Sequence, residues 1–298
     1  MDIADHLISS GRVDAGMACV FQELSKHRSK YSQKDWRPFA DICTSHPIAE
    51  KIFQDPITRR SWDKPRGYPG DAGLLDLIYA PPQGQDLRQM TALGSEIYRF
   101  TNTEDAASAV RERRLVLAAT IDAAARAMDR PRILSVASGH LREAEISHAI
   151  QNNQIGEFIA LDQDGESCNE VETRYGRLGI KVDNRSIKPL LVGDSSLGKF
   201  DVIYAAGLYD YLNDMTAARL TSNMFNMLNE GGKLLIANFL PGIPALGYME
   251  SFMGWLLIFR NSDQLFATAN DIPKEAIEAR SLWIEPHQNI VYMTLTKH

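Results

Sequence analysis

The sequence predicts an α/β protein: a mostly parallel sheet covered by helices on both faces, preceded by an all-helical region. Three observations carry this. Before about residue 130, apolar residues recur at helical spacing. After it, short apolar runs alternate with helical stretches, the pattern of a parallel sheet. At the end, two strand-like runs, residues 279–284 and 290–296, are joined by five residues. So short a link cannot cross over a sheet, so this last pair must be antiparallel.

The elements follow in order. Val13, Met17, Val20, Phe21 and Leu24 share one helical face. Residues 46–53 read as a second helix with Pro47 in its first turn. The stretch KPRGYPGD at 64–71 holds two prolines and two glycines, which excludes helix and central strand. A short helix through Tyr79 should stop at Pro81 and Pro82. Thr101 followed by Glu104 reads as a capping box that opens a long Ala-rich helix to Met128, with Pro131 beyond its end. Then come a strand (132–137), a helix (143–150), a strand (157–162) and a helix (166–178) closed by Gly179, which suits a left-handed C-terminal position. A weaker strand (180–186) and another strand (200–205) follow. Asp214 caps a helix running to Leu228, and Gly231-Gly232 turns into a strand at 233–239. The helical region is set at 1–103 and the sheet domain at 104–298.

Composition bounds the function. A formal net charge of -6 disfavours a protein that coats nucleic acid by neutralising phosphates. Cys19, Cys43 and Cys168 lie far apart without CxxC spacing, which points to a reduced, cytoplasmic chain. The N-terminal stretch is acidic rather than signal-like, and the most apolar run, residues 254–259, is far shorter than the roughly 18 residues a membrane span needs. The seven histidines show no HExxH or HxH pattern, and no GxSxG element or phosphate-binding loop is present. The expected partner is a small molecule, with neither nucleic acid nor membrane.

Two motifs carry chemistry. The first strand runs into Ala137-Ser138-Gly139-His140-Leu141-Arg142-Glu143, a tight strand-to-helix turn at the carboxyl edge of the sheet, where such folds bind ligands. Gly139 admits close backbone approach, whereas Ala137 and Leu141 stand where a dinucleotide fingerprint has glycines. Alone, the loop reads equally well as an ordinary turn. The second strand ends in Asp162-Gln163-Asp164, and an acid at this distance from Gly139 can accept hydrogen bonds from both ribose hydroxyls. Either acid could cap the next helix. Asp164 is better placed to do so, which leaves Asp162 for the ribose.

With the terminal antiparallel pair, the segments RILSVASGHLRE, FIALDQD, FDVIYAAGLYDYL and LNEGGKLLIANF resemble the class I S-adenosylmethionine-dependent methyltransferases over residues 104–298. KPRGYPGDAGLLDLIY and MESFMGWLLIFR are similar to a bacterial subgroup with an extra N-terminal helical cap, some of whose members are assigned to methyl esterification of hydroxy fatty acids. The resemblance implies a Rossmann-like seven-stranded sheet with a terminal antiparallel hairpin, and S-adenosyl-L-methionine as cofactor. It places Ala137, Ser138, Gly139 and Arg142 at the methionine moiety, Asp162 on the ribose, and Gln163, Ser186 and Ile187 around the adenine. Ala206, Gly207 and Leu208 would face the methionine and sulfonium. Tyr68, Tyr209, Asp210 and Tyr211 would serve the chemistry at the mouth, and Arg66, Asn238, Glu250 and Trp255 the substrate. Aromatic faces stabilise a sulfonium by about 0.5–2 kcal/mol each. Packing accounts for Trp255 equally well, and pairing with Asp71 accounts for Arg66.

The implied activity is methyl transfer to oxygen or nitrogen of a small molecule. Two alternatives share the cofactor: a cyclase giving azetidine-2-carboxylate and methylthioadenosine, and a non-catalytic cofactor-binding protein.

Overall fold

The computed structural model describes residues 1–80 and 90–298. Its strands are β1 (Arg132–Val136), β2 (Glu157–Asp162), β3 (Ile180–Asn184), β4 (Phe200–Ala205), β5 (Leu228–Phe239), β6 (Ile277–Ile284) and β7 (Ile290–Lys297). They form one seven-stranded sheet in the order β3-β2-β1-β4-β5-β7-β6. The pairs from β3 through β5 are parallel, and β7 runs antiparallel to both β5 and β6. The runs ILSV, FIAL and VIYA are buried throughout, as continuously apolar strands covered on both faces should be. The chain reverses its direction of winding between β1 and β4, so their carboxyl ends open the crevice in which α/β sheets bind ligands.

Several boundaries differ from the sequence reading. Thr101 does not cap the long helix. It lies inside a preceding helix, Ala92–Thr103, where its buried hydroxyl donates to Asp55 Oδ2 and Tyr98 O, each at 3.1 Å. That helix is opened instead by Thr91, whose hydroxyl accepts from Gly94 N at 2.9 Å. The long helix then spans Asp105–Ala127. Residues 143–150 break into a 3₁₀ turn, Arg142–Glu145, and a short helix, His148–Gln151. Asn213, not Asp214, caps the helix Asp214–Asn226, accepting from Thr216 N at 2.9 Å. Strand β5 starts at Leu228, before the glycine pair: Gly231 takes φ 70° and the register against β4 shifts between Phe200 and Val202. The connection before β4 holds a helical turn, Lys188–Leu191. Gly179 does close its helical segment at φ 83°. Pro81 and Pro82 lie outside the described residues.

The chain divides into two compact units. The N-terminal unit comprises Met1–Arg111 and a returning segment, Gly242–Leu256. Its helices are α1 (Asp2–Ser9), α2 (Val13–Arg28), α3 (Gln33–Ser45), α4 (Ile48–Ile52), α5 (Pro56–Asp63) and α6 (Ala72–Tyr79), and α2 and α3 pack on the helix Leu246–Phe252, every residue of which is buried. Gly247 is required there: a Cβ would lie 2.6 Å from the Leu24 carbonyl carbon and oxygen of α2. Tyr248 stacks on Phe21 at 4.2 Å, and its hydroxyl meets Thr58 Oγ1 at 2.7 Å. The second unit comprises Glu112–Pro241 and Leu257–His298 and contains the sheet. Among the described residues no helix is long and apolar enough to cross a membrane.

Candidate active site

The loop after β1 alternates in backbone handedness. Ala137, Gly139 and Leu141 all adopt left-handed φ, at 56°, 54° and 51°. Only glycine enters this region without penalty; an alanine or leucine there costs roughly 1–2 kcal/mol. The turn thus follows a path normally built from glycines, with two side chains held in it under strain. Such strain is found where the surroundings fix the backbone for a purpose.

Asp162 is one of those surroundings. Its Oδ2 accepts from Gly139 N at 2.8 Å and its Oδ1 from Asp164 N at 2.9 Å, so one carboxylate joins the β1 loop to the β2 loop. Ser138 N donates to Leu161 O at 3.1 Å, extending the strand contact one step further. Asp162 is buried, and that burial pushes its carboxyl above the usual aspartate range while the backbone N–H groups of Asp164, Gly139 and Gln163 pull it down. Asp164 takes the capping role, accepting from Glu166 N at 3.1 Å and Ser167 Oγ at 2.7 Å. Gln163 is exposed beside it, and Ser186 and Ile187 follow β3 half-buried.

After β4 come Ala206, Gly207 and Leu208, of which Gly207 is exposed. Ala206 O accepts from Arg113 Nη1 at 2.7 Å. Arg113 is 5% exposed on the long helix and was not a sequence candidate. It sits in the charged run Arg111–Arg114, which looks like a solvated face. The available signal was spacing: Val110, Arg113, Leu117 and Ile121 share a buried stripe, and a cation on such a stripe needs partners. Near it Glu143, also buried, accepts from Tyr204 Oη at 2.6 Å, and burial raises its carboxyl. Arg142 is committed to Glu170 at 2.8 Å and Tyr175 Oη at 3.1 Å.

The segment Tyr209-Asp210-Tyr211 is not grouped at an opening. Tyr209 is fully buried in the core, and its hydroxyl meets Thr221 Oγ1 at 2.7 Å. Asp210 is buried and accepts from Asn238 Nδ2 at 2.8 Å and Phe239 N at 2.7 Å; desolvation raises its pKa to about 6. Asn238 Oδ1 in turn accepts from Arg260 Nη1 at 2.9 Å, and Arg260 also donates to Tyr209 O at 2.8 Å and Leu212 O at 2.6 Å. A buried guanidinium needs this many acceptors, and that demand turns residues 209 and 210 inward. Asn238 belongs to the same knot, and of the three loop residues only Tyr211 is exposed.

The remaining candidates belong to the N-terminal unit. Arg66 and Tyr68 are half-buried. Asp71 caps α6, accepting from Leu74 N at 2.7 Å, and pairs with Arg60 at 2.7 and 2.9 Å. Glu250 is buried and held by Arg28 at 2.5 and 3.2 Å and by Gln33 Nε2 at 3.2 Å. Trp255 is buried, its N donating to Met249 O at 2.9 Å. Among the described residues no three His, Cys, Asp or Glu side chains are grouped to hold a metal ion.

No protein family and no curated protein matches this sequence. Solved structures do match the fold. One is a possible exported protein from Bordetella parapertussis, at TM-score 0.57 and 16% identity over 76% of this chain and 79% of that one. Another is magnesium protoporphyrin IX methyltransferase (ChlM) from Synechocystis PCC 6803 with bound S-adenosylhomocysteine, at TM-score 0.51 and 10% identity over 83% of this chain and 97% of that one.

Proposed function

We propose that this Rossmann-like methyltransferase fold serves an S-adenosylmethionine-dependent enzyme that methylates an oxygen or nitrogen of a small molecule. The observation that carries the reading is the left-handed loop Ala137–Leu141 tied through Gly139 N to Asp162 at the carboxyl edge of β1 and β2. A fold neighbour, ChlM, was crystallised with S-adenosylhomocysteine, which supports the same cofactor here.

The residues suit that group. Asp162 would take the ribose hydroxyls, and the loop around Gly139 would border the methionine moiety. Gln163, Ser186 and Ile187 would border the adenine. Bound S-adenosylmethionine supplies an electrophilic methyl on a sulfonium. Arg113 fixes the carbonyl of Ala206, and so the loop that would border the methionine end. Tyr211 is the exposed aromatic of that loop, and Arg66 and Tyr68 are assigned to substrate and chemistry. The protein's contribution is to hold the reactants in line, with a modest one from a base.

Incubation with S-adenosylmethionine and a metabolite extract, followed by mass spectrometry, tests this. S-adenosylhomocysteine with a product heavier by one methylene supports methyl transfer. Methylthioadenosine with azetidine-2-carboxylate would assign the cyclase, and binding without turnover a cofactor-binding protein. Absence of binding by calorimetry would overturn the cofactor assignment itself.

A further inference from the structure

Among the described residues three arginines are buried: Arg113, Arg142 and Arg260. Two of them have a carboxylate partner. Arg260 pairs with Asp214 at 2.7 Å and also donates to Tyr209 O, Leu212 O and Asn238 Oδ1. Arg142, which the sequence placed at the methionine moiety, pairs with Glu170 at 2.8 Å and donates to Tyr175 Oη. Arg113 differs. Of its several N–H groups only one, on Nη1, meets an acceptor, the carbonyl of Ala206 at 2.7 Å, and no carboxylate pairs with it among the described residues. Burial raises the carboxyls of Glu143 and Asp210, and the charge of Arg113 draws both back down. Both are nonetheless bonded elsewhere, Glu143 to Tyr204 Oη and Asp210 to Asn238 Nδ2 and Phe239 N.

The unpaired part of this guanidinium is not sealed in the core. None of its unpaired nitrogens is shut off from solvent. Nη2 stands beside the exposed Gly207, where a Cβ would lie 4.0 Å from it. A buried cation without a counter-charge is costly, and an anion that reaches it recovers that cost. A planar carboxylate does so best, because it can take two N–H groups at once. The position of Arg113 fixes which carboxylate. Ala206 and Gly207 follow β4, whose carboxyl end opens the crevice together with that of β1. Arg113, the β1 loop and Asp162 all belong to the second unit.

We infer that Arg113 is the receptor for the methionine carboxylate of the bound nucleoside, and so makes the site prefer ligands that carry the amino acid over those that end at the thioether. This rests on the cofactor assignment above.

The test is calorimetry on the full chain with S-adenosylhomocysteine and with 5′-methylthioadenosine, which keeps the nucleoside and the thioether and lacks the carboxylate. Wild type should bind S-adenosylhomocysteine at least about tenfold more tightly. Arg113→Gln keeps a donor for Ala206 O and removes the charge. It should lose roughly ten- to a hundredfold in affinity for S-adenosylhomocysteine and less than about threefold for methylthioadenosine. Equal losses for the two ligands would make Arg113 a support of the loop alone, and unchanged affinity for S-adenosylhomocysteine would leave it no ligand; either result overturns the inference. Wild type that binds neither nucleoside overturns the cofactor assignment and this inference with it, an outcome distinct from both. Should Arg113→Gln fail to fold, Gly207→Asp decides. Gly207 is exposed and lies outside the left-handed region, so an aspartate there is accommodated and can occupy the guanidinium from within the chain. It should weaken S-adenosylhomocysteine at least about tenfold relative to Gly207→Asn and leave methylthioadenosine within about threefold. Equal affinities for S-adenosylhomocysteine in those two variants overturn the inference.

Discussion

At the scale of single residues, the carboxylate of Asp162 joins two loops, and its replacement should be felt at the cofactor first. Asp162→Ala is expected to weaken S-adenosylmethionine binding by about 1.5–3 kcal/mol, the worth of hydrogen bonds to a charged group. Calorimetry giving wild-type affinity would remove it from the ribose. The loop beside it carries a prediction of opposite sign. Ala137 sits at φ 56°, so Ala137→Gly should raise unfolding free energy by about 0.5–1 kcal/mol, the relief exceeding the entropy that glycine adds to the unfolded chain. A denaturant midpoint that falls would show that the position is not strained. Asp210 links burial to pH. Its pKa rises from the ordinary 3.8 to about 6 on folding, so the folded state keeps its proton to higher pH than the unfolded. The stability this contributes is fully present below about pH 4 and is lost as pH rises towards 6, by at most about 3 kcal/mol. Asp210→Asn keeps an acceptor for Phe239 N and does not titrate. Relative to wild type, the variant should therefore gain stability across that window; a pH-independent difference would show that Asp210 titrates normally.

At the scale of elements, the start of α6 offers a test of packing. Asp71 is fully buried, capped onto Leu74 N and paired with Arg60, and a Cβ on Gly73 would overlap that guanidinium. Gly73→Ala should cost about 2–4 kcal/mol by displacing Arg60 from a buried carboxylate. In an Arg60→Ala background the same change should cost nothing further, since the obstruction is gone and alanine is the better helix former. Additive effects in thermal or chemical unfolding would count against the overlap. The elements also show what a sequence can and cannot display. Strands β1, β2, β4, β5 and β7 hold apolar runs with recognisable turns, β3 and β6 are more polar, and the terminal antiparallel pair was forced by its short link. The helix Ala92–Thr103 was hidden because Thr101 and Glu104 imitate a capping box, and only burial reveals Thr101 bonded to Asp55. The site was half legible. Gly139 and Asp162 stood at a readable spacing, but the left-handed backbone of Ala137 and Leu141 has no signature in residue type. Nor did the local sequence reveal that Tyr209 and Asp210 turn inward, because Arg260, which draws them in, is distant in the chain.

At the scale of the whole molecule, the N-terminal unit is discontinuous in sequence, completed by residues 242–256. A chain cut to residues 112–298 would keep the helix Leu246–Phe252 without α2 and α3, which pack on it. Such a fragment should aggregate. Replacing 242–256 by a short linker should restore solubility, because Arg260 N bonds Phe239 O at 3.0 Å and so keeps the two ends of the excision close. Size-exclusion chromatography separates these outcomes, and an unmodified fragment that elutes as a monomer would show that the returning segment does not need α2 and α3 to cover it. The same interleaving sets a schedule for synthesis. The ribosome finishes α2 and α3 long before it reaches the buried helix on which they pack. At roughly 5–20 residues per second the delay between residues 111 and 256 is about 7–30 s. For that interval Val20, Phe21 and Leu24 present a greasy face with its final covering still untranslated. The nascent chain is therefore a client for any holding chaperone near the tunnel exit, and slow codons between residues 112 and 241 would lengthen its exposure.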